Sequence, residues 1–217
     1  MIKQTNIRLI VFDLDGTLID TMGGFADLAG GLLKTYFGWG FEEGRKRYLE
    51  TSGVPFFQQM EILVPKNNKN KRVVELFEKL KIASFIKEAI SEKTLETLHK
   101  LKDREILTAI SSNNFDSLVK EFVHRENVPI DLALGYKPNF SKGKPHFDYL
   151  SKYFGVHFNQ MVFVGDSLSD AQKALENGIQ FIAKIGTFNE LDFTVHKASP
   201  FPVIYEIYEI LNIVKAL

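Results

Sequence analysis

Two short runs that are apolar at every position, Leu9-Ile10-Val11-Phe12 and Met161-Val162-Phe163-Val164, each break off at an aspartate: Asp13 directly after the first, Asp166 one glycine beyond the second. A strand with one face in water alternates apolar and polar residues. One that is apolar throughout has to be covered on both faces, which is the situation of a strand inside a parallel sheet flanked by helices. Further β-rich runs at residues 105–110, 131–134 and 179–183 fit the same scheme, because helical patterns follow the runs. This alternation predicts an α/β chain with a doubly wound parallel sheet, in which the runs at 8–12 and 161–164 are central.

The runs at 8–12 and 105–110 lie about 90 residues apart, whereas one crossover helix needs far fewer. Within that interval Phe25, Leu28, Ala29, Leu32, Leu33, Tyr36 and Phe37 recur at helical spacing, and Val73, Leu76, Phe77 and Leu80 repeat the pattern. The expected organisation is a core made of residues 1–18 and 89–217, interrupted by a helical unit at 19–88. The hinges fall near residues 19–24 and 87–91. Leu95, Leu98 and Leu101 mark the helix leading to the second strand, and residues 205–214 read as a terminal packing helix.

With 27 Lys+Arg against 27 Asp+Glu, the chain of 217 residues carries no net charge, which argues against a nucleic-acid or membrane-surface partner. It has no cysteine, so thiolate metal sites, disulfides and cysteine nucleophiles are excluded, in keeping with a reducing compartment. The apolar stretch at 7–12 is interrupted by Arg8 and too short for a signal-peptide core or a membrane span. A cytoplasmic location is expected.

In open α/β sheets ligands bind beyond the carboxyl ends of the strands, where Asp13-Leu14-Asp15-Gly16-Thr17 falls. Asp and Gly after a strand also make plain turns. The second acidic pair, in Gly165-Asp166-Ser167-Leu168-Ser169-Asp170, favours chemistry, because two adjacent central strands can aim both pairs into one cavity. Like charges there repel, and a hard divalent cation with oxygen ligands relieves the repulsion; Mg2+ is the natural candidate. The alternative is that Asp166 or Ser167 simply caps the following helix.

Asp13-Leu14-Asp15-Gly16-Thr17 and Gly165-Asp166-Ser167-x-x-Asp170 resemble the first and fourth motifs of the haloacid dehalogenase-like hydrolases. The likeness extends over nearly the whole chain and implies a Rossmann-like core with an inserted α-helical cap, as in phosphoglycolate phosphatase-like and β-phosphoglucomutase-like members. It implies that Asp13 is a nucleophile forming an aspartyl-phosphate, and that Asp15 protonates the leaving oxygen and then activates water. Asp13, Asp15, Asp166 and Asp170 become the implied Mg2+ shell, Asp15 through its backbone carbonyl and Asp170 through water or its neighbours.

The family's second motif is a hydroxyl at the tip of the second strand. Ser111, the first hydroxyl past the apolar run, is the match and Ser112 the alternative, and the amides of Ser112 and Asn113 are expected to reach phosphate as helix-start donors. The third motif is a lysine. The string Gly143-Lys144-Pro145 favours Lys144, whereas reading Pro145 as the helix-starting proline favours Lys142. His146 reads as a helix-start residue. Trp39, Phe56 and Phe57 read as core of the insert sooner than as substrate lining, and residues 186–188 are placed to close the mouth of the site.

The resemblance thus implies a Mg2+-dependent phosphatase of a small phosphomonoester, acting as monomer or homodimer, with the cap setting selectivity. Dehalogenases of the superfamily lack the acid at the position of Asp15. A sugar phosphomutase shares all four motifs, and an idle binding domain would not need them.

Overall fold

The computed structural model describes residues 7–194 and 201–214. Residues 1–6, 195–200 and 215–217 of the expected core therefore lie outside the described residues. The described chain falls into two compact units. One runs up to Ile19 and resumes at Ala89; the other is Asp20–Glu88.

The first unit is built on six parallel strands: β1 (Leu9–Phe12), β2 (Leu107–Phe115), β3 (Leu132–Tyr136), β4 (Met161–Gly165), β5 (Gln180–Lys184) and β6 (Val203–Ile204). Their order is β3-β2-β1-β4-β5-β6, and helices cover both faces. All four residues of β1 and all five of β4 are buried, as their unbroken apolar sequences require. The core around β1 and β4 brings together Val11, Ala109, Phe147, Phe163 and Phe181, with the Phe147 and Phe163 rings edge-on at 5.2 Å. Chain direction across the sheet reverses between β1 and β4, and at such a switch point the loops part to leave a crevice.

Residues 205–214 are not one helix. Strand β6 ends just before them at Ile204, a single 3-10 turn lies at Ile207–Glu209, and only Ile210–Val214 is α-helical. Val203 and Ile204 extend the sheet edge beside Ala183 and Lys184, a pairing too short to leave a periodic signature.

The second unit holds helices α1 (Met22–Phe37), α2 (Phe41–Glu50), α3 (Phe56–Leu63) and α4 (Asn70–Phe85). Its centre is aromatic: Phe56 stacks on Phe77 at 3.8 Å and Tyr48 lies 5.6 Å from Phe77. Phe56 is thus core as expected, Trp39 is half-buried, and Phe57 is 44% exposed, contrary to a core role. The remaining helices belong to the first unit: α5 (Glu92–Asp103), α6 (Asp116–Arg125), α7 (Lys144–Phe154), α8 (Leu168–Glu176), α9 (Glu190–Thr194) and α10 (Ile210–Val214). No helix among the described residues is long and apolar enough to cross a membrane.

Candidate active site

Register brings the chemistry together. Phe12 pairs with Ile110 on one side and Val164 on the other, so Asp13, Ser111 and Gly165-Asp166 follow at the carboxyl ends of three neighbouring strands. The Asp13 amide donates to Val164 O at 2.8 Å, which extends the ladder by one residue and fixes the direction of the Asp13 side chain. Beyond it the chain turns sharply. Gly16 adopts φ 78, a left-handed conformation that costs a residue with a Cβ, and its amide donates to Ile19 O at 2.7 Å. The turn carries Asp15 half-buried beside the site, where Asn114 Nδ2 donates to its Oδ2 at 2.6 Å.

On the other side of Asp13 stands Lys142, buried, its ammonium 3.0 Å from Asp13 Oδ2 and 2.7 Å from Asp170 Oδ1. Asp170 is fully buried and does a second job at the start of α8. Ser167 Oγ accepts from the Asp170 amide at 3.1 Å, and Asp170 Oδ2 accepts from the Ser167 amide at 3.3 Å, which together close a capping box; the Ser167 hydroxyl also donates to Asp170 Oδ2 at 2.6 Å. The helix-cap reading of Ser167 is therefore correct, and capping and site-building share one carboxylate. Gly165 permits this approach, since a Cβ there would lie 2.7 Å from Asp170 Cβ.

Burial is the main electrostatic force at the site. It holds the Asp13 carboxyl well above the ordinary range, with Lys142 pulling in the opposite direction and Asp170 and Asp166 adding to the rise. Burial, then Asp170, pushes Asp166 up to about 7 even though the Thr187 hydroxyl donates to its Oδ2. Burial opposes the charge of Lys142, but Asp13 and Asp170 outweigh it and the ammonium is held more firmly than in water. Burial likewise keeps His146 neutral, with a pKa lowered to about 4, and its Nδ1 lies 2.9 Å from Ser111 Oγ.

The positions expected from sequence divide accordingly. Asp13, Asp15, Ser111, Lys142, Asp166 and Asp170 are gathered at the carboxyl ends of β1, β2 and β4. Lys144 is not: it is the first residue of α7, exposed, and paired with Asp148 at 2.9 Å. Its Gly-Lys-Pro string starts the helix, whereas Lys142, two residues earlier, still lies in the loop that reaches inward. Ser112 and Asn113 do not start a helix either. Strand β2 continues to Phe115, with Ser111 paired to Leu134 and Phe115 to Tyr136, so its extra residues bulge out before α6 begins at Asp116. In that bulge Ser112 Oγ accepts from the Asn114 amide at 3.0 Å, and Asn113 Oδ1 accepts from the Lys142 amide at 3.3 Å. Thr187 reaches Asp166 from the segment expected at the mouth of the site. Asn114, His146 and Thr187 are the contacts that sequence reasoning did not assign.

One ligand oxygen each from Asp13, Asp166 and Asp170 lies within 4.8 Å of the others, and all three residues are buried. Burial of three carboxylates so close together disfavours their charged forms, and a divalent cation would offset that cost. An all-oxygen donor set suits a hard ion such as Mg2+.

The sequence profile of the haloacid dehalogenase-like hydrolases matches residues 10–184. No curated protein matches the sequence. Among solved structures, the chain is similar to a candidate phosphoglycolate phosphatase from Lactobacillus delbrueckii, with TM-score 0.82 and 18% identity over 97% of this chain and 99% of that one. It is also similar to a haloacid dehalogenase-like hydrolase from Streptococcus pneumoniae, with TM-score 0.80 and 20% identity over 97% and 99%. CbbY from Rhodobacter sphaeroides, solved with xylulose-1,5-bisphosphate, superposes with TM-score 0.71 and 15% identity over 94% and 96%. Likeness at these identities speaks to the fold.

Proposed function

This chain belongs to the haloacid dehalogenase-like hydrolase family, and from that premise we propose that it is a Mg2+-dependent phosphatase of a small phosphorylated metabolite, working through an aspartyl-phosphate on Asp13. The observation that carries the reading is the arrangement around Asp13. A buried carboxylate at a strand end touches a buried ammonium at 3.0 Å, and a second acid, Asp15, stands two residues on.

In the first half-reaction an Asp13 carboxylate oxygen attacks phosphorus while the bond to the ester oxygen breaks, and Asp15 delivers its proton to that departing oxygen. In the second, Asp15 takes a proton from water as the water oxygen attacks phosphorus, and Asp13 leaves as a carboxylate. Lys142 holds the Asp13 carboxylate in place and sets positive charge next to the incoming dianion. The Ser111 hydroxyl and the amides of Ser112 and Asn113 are the donors assigned to the phosphoryl oxygens. Asp13, Asp166 and Asp170, with the Asp15 carbonyl, would hold a Mg2+ ion, which when bound would supply positive charge to offset repulsion between two anions.

The sugar bisphosphate held by CbbY supports a substrate of that size and charge class. Turnover of p-nitrophenyl phosphate and of a panel of phosphorylated metabolites, with Mg2+ and with chelator, tests the proposal. Metal-dependent release of phosphate that disappears in Asp13→Asn is expected; no release from any member of the panel would overturn it.

A further inference from the structure

Asp15 has to give up a proton in one half-reaction and accept one in the next, so its carboxyl must point the same way in both. Nothing in the Asp-x-Asp spacing secures that. The residue lies on a turn after β1, half-buried, and a short side chain there has several rotamers open to it.

Asn114 supplies a constraint of this kind. It is 3% exposed and comes from β2, the neighbouring strand, 99 residues along the chain. Its Nδ2 donates to Asp15 Oδ2 at 2.6 Å, a short hydrogen bond to a carboxylate. Asn114 is itself anchored, because its amide donates to Ser112 Oγ at 3.0 Å within the bulge that lengthens β2 relative to β3. A regular strand would turn into α6 sooner; the extra residues carry a polar side chain across to the loop after β1. With Oδ2 accepting from a donor that never titrates, proton exchange is assigned to Oδ1.

We propose that Asn114 is a positioning residue that fixes the proton-shuttling oxygen of Asp15, and so determines how well the enzyme handles esters whose leaving group needs a proton. The proposal rests on the phosphatase reading above. An alkyl ester departs as a strongly basic alkoxide and depends on Asp15, whereas p-nitrophenolate leaves nearly unaided. A misplaced acid therefore shows as a change in the ratio of the two rates. Losing the fold or the phosphate site would lower both together.

The test compares kcat/KM for an alkyl phosphate and for p-nitrophenyl phosphate in the wild type, Asn114→Leu, Asn114→Ala, Asp15→Asn and the Asp15→Asn/Asn114→Leu double variant. For Asn114→Leu the alkyl value should fall by about 10²-fold, in the range for a displaced acid, and the aryl value by only a few-fold. In the Asp15→Asn background the Asn114 change should add little, since it acts through a group already removed. Asn114→Ala gives the same ratio without a bulky replacement, and the ratio is readable even if only part of the protein folds. Equal losses on both esters, no loss on either, or full additivity with Asp15→Asn would overturn the proposal while leaving the phosphatase reading intact. A wild type inactive on both esters and on the metabolite panel would overturn both.

Discussion

His146 offers a quantitative test of how the site is buried. Its imidazole is fully buried against Phe140, with ring centroids 4.4 Å apart, and desolvation, with further opposition from the Lys142 charge, lowers its pKa from 6.5 to about 4. Asp116 favours the charged form but does not offset these effects. Between about pH 4 and 6.5 the unfolded chain therefore binds a proton that the folded protein refuses. Stability falls as the pH drops through that window and is unaffected by His146 above it. Between pH 7.5 and 4.5 the loss works out at roughly 2 to 3 kcal/mol. Asp13 and Asp166 have raised values and act with the opposite sign over part of the same range, so the measurement has to be a difference. His146→Asn keeps a polar group near Ser111 Oγ and has no titration there. Urea denaturation in chelator at the two pH values gives the stability of each protein. The gap between wild type and variant should move by roughly 2 to 3 kcal/mol in favour of the variant at pH 4.5. A gap that is the same at both pH values would mean that the ring is not held neutral, and the account of its burial would fail.

Three further outcomes follow from the geometry. Asp13→Asn should lower turnover to less than about a hundredth while raising the melting temperature of the metal-free protein, since it removes a buried charge, with activity and melting measured on the same sample. Lys142→Ala should cost about 3 to 5 kcal/mol of stability and nearly all turnover, because it leaves Asp13 and Asp170 without their shared ammonium, whereas Lys144→Ala, which removes only an exposed ion pair, should stay within a few-fold of wild type on both counts. Thr187→Val should weaken Mg2+ binding by about tenfold in calorimetric titration, because Asp166 loses the hydroxyl that fixes its second oxygen.

Five strands and the helical nature of the insert were legible because burial on both faces leaves an unbroken apolar run, and burial on one face of a helix leaves a 3.6-residue period. Where the structure departs from the sequence reading, polarity or length hid the signal. Ser111 to Asn114 are polar because they border the site, not bulk water, so a strand that runs to Phe115 read as ending near Ile110. The two residues of β6 are too few to show a period. The choice between Lys142 and Lys144 depended on which one the loop before α7 turns inward, a matter of burial that a local string does not encode. Asn114 and His146 escaped for a different reason: their partners lie 99 and 35 residues away, and pairings at that distance are fixed by the sheet.

The position of β1 has a consequence for how the protein is made. Synthesised first, this strand ends up in the middle of the sheet, and its neighbours β2 and β4 arrive about 100 and about 150 residues later. At usual elongation rates the wait for β4 is roughly 8 to 30 s. Until β2 is made Leu9 to Phe12 is an apolar segment of high β propensity with neither edge paired, and until β4 is made one edge stays open, the kind of segment that recruits other nascent chains. Arg8 precedes it, and Asp13 and Asp15 follow. Charges flanking such a run act as gatekeepers against aggregation. Before there is a site for them to serve, the acids proposed for catalysis already help keep the unfinished chain in solution.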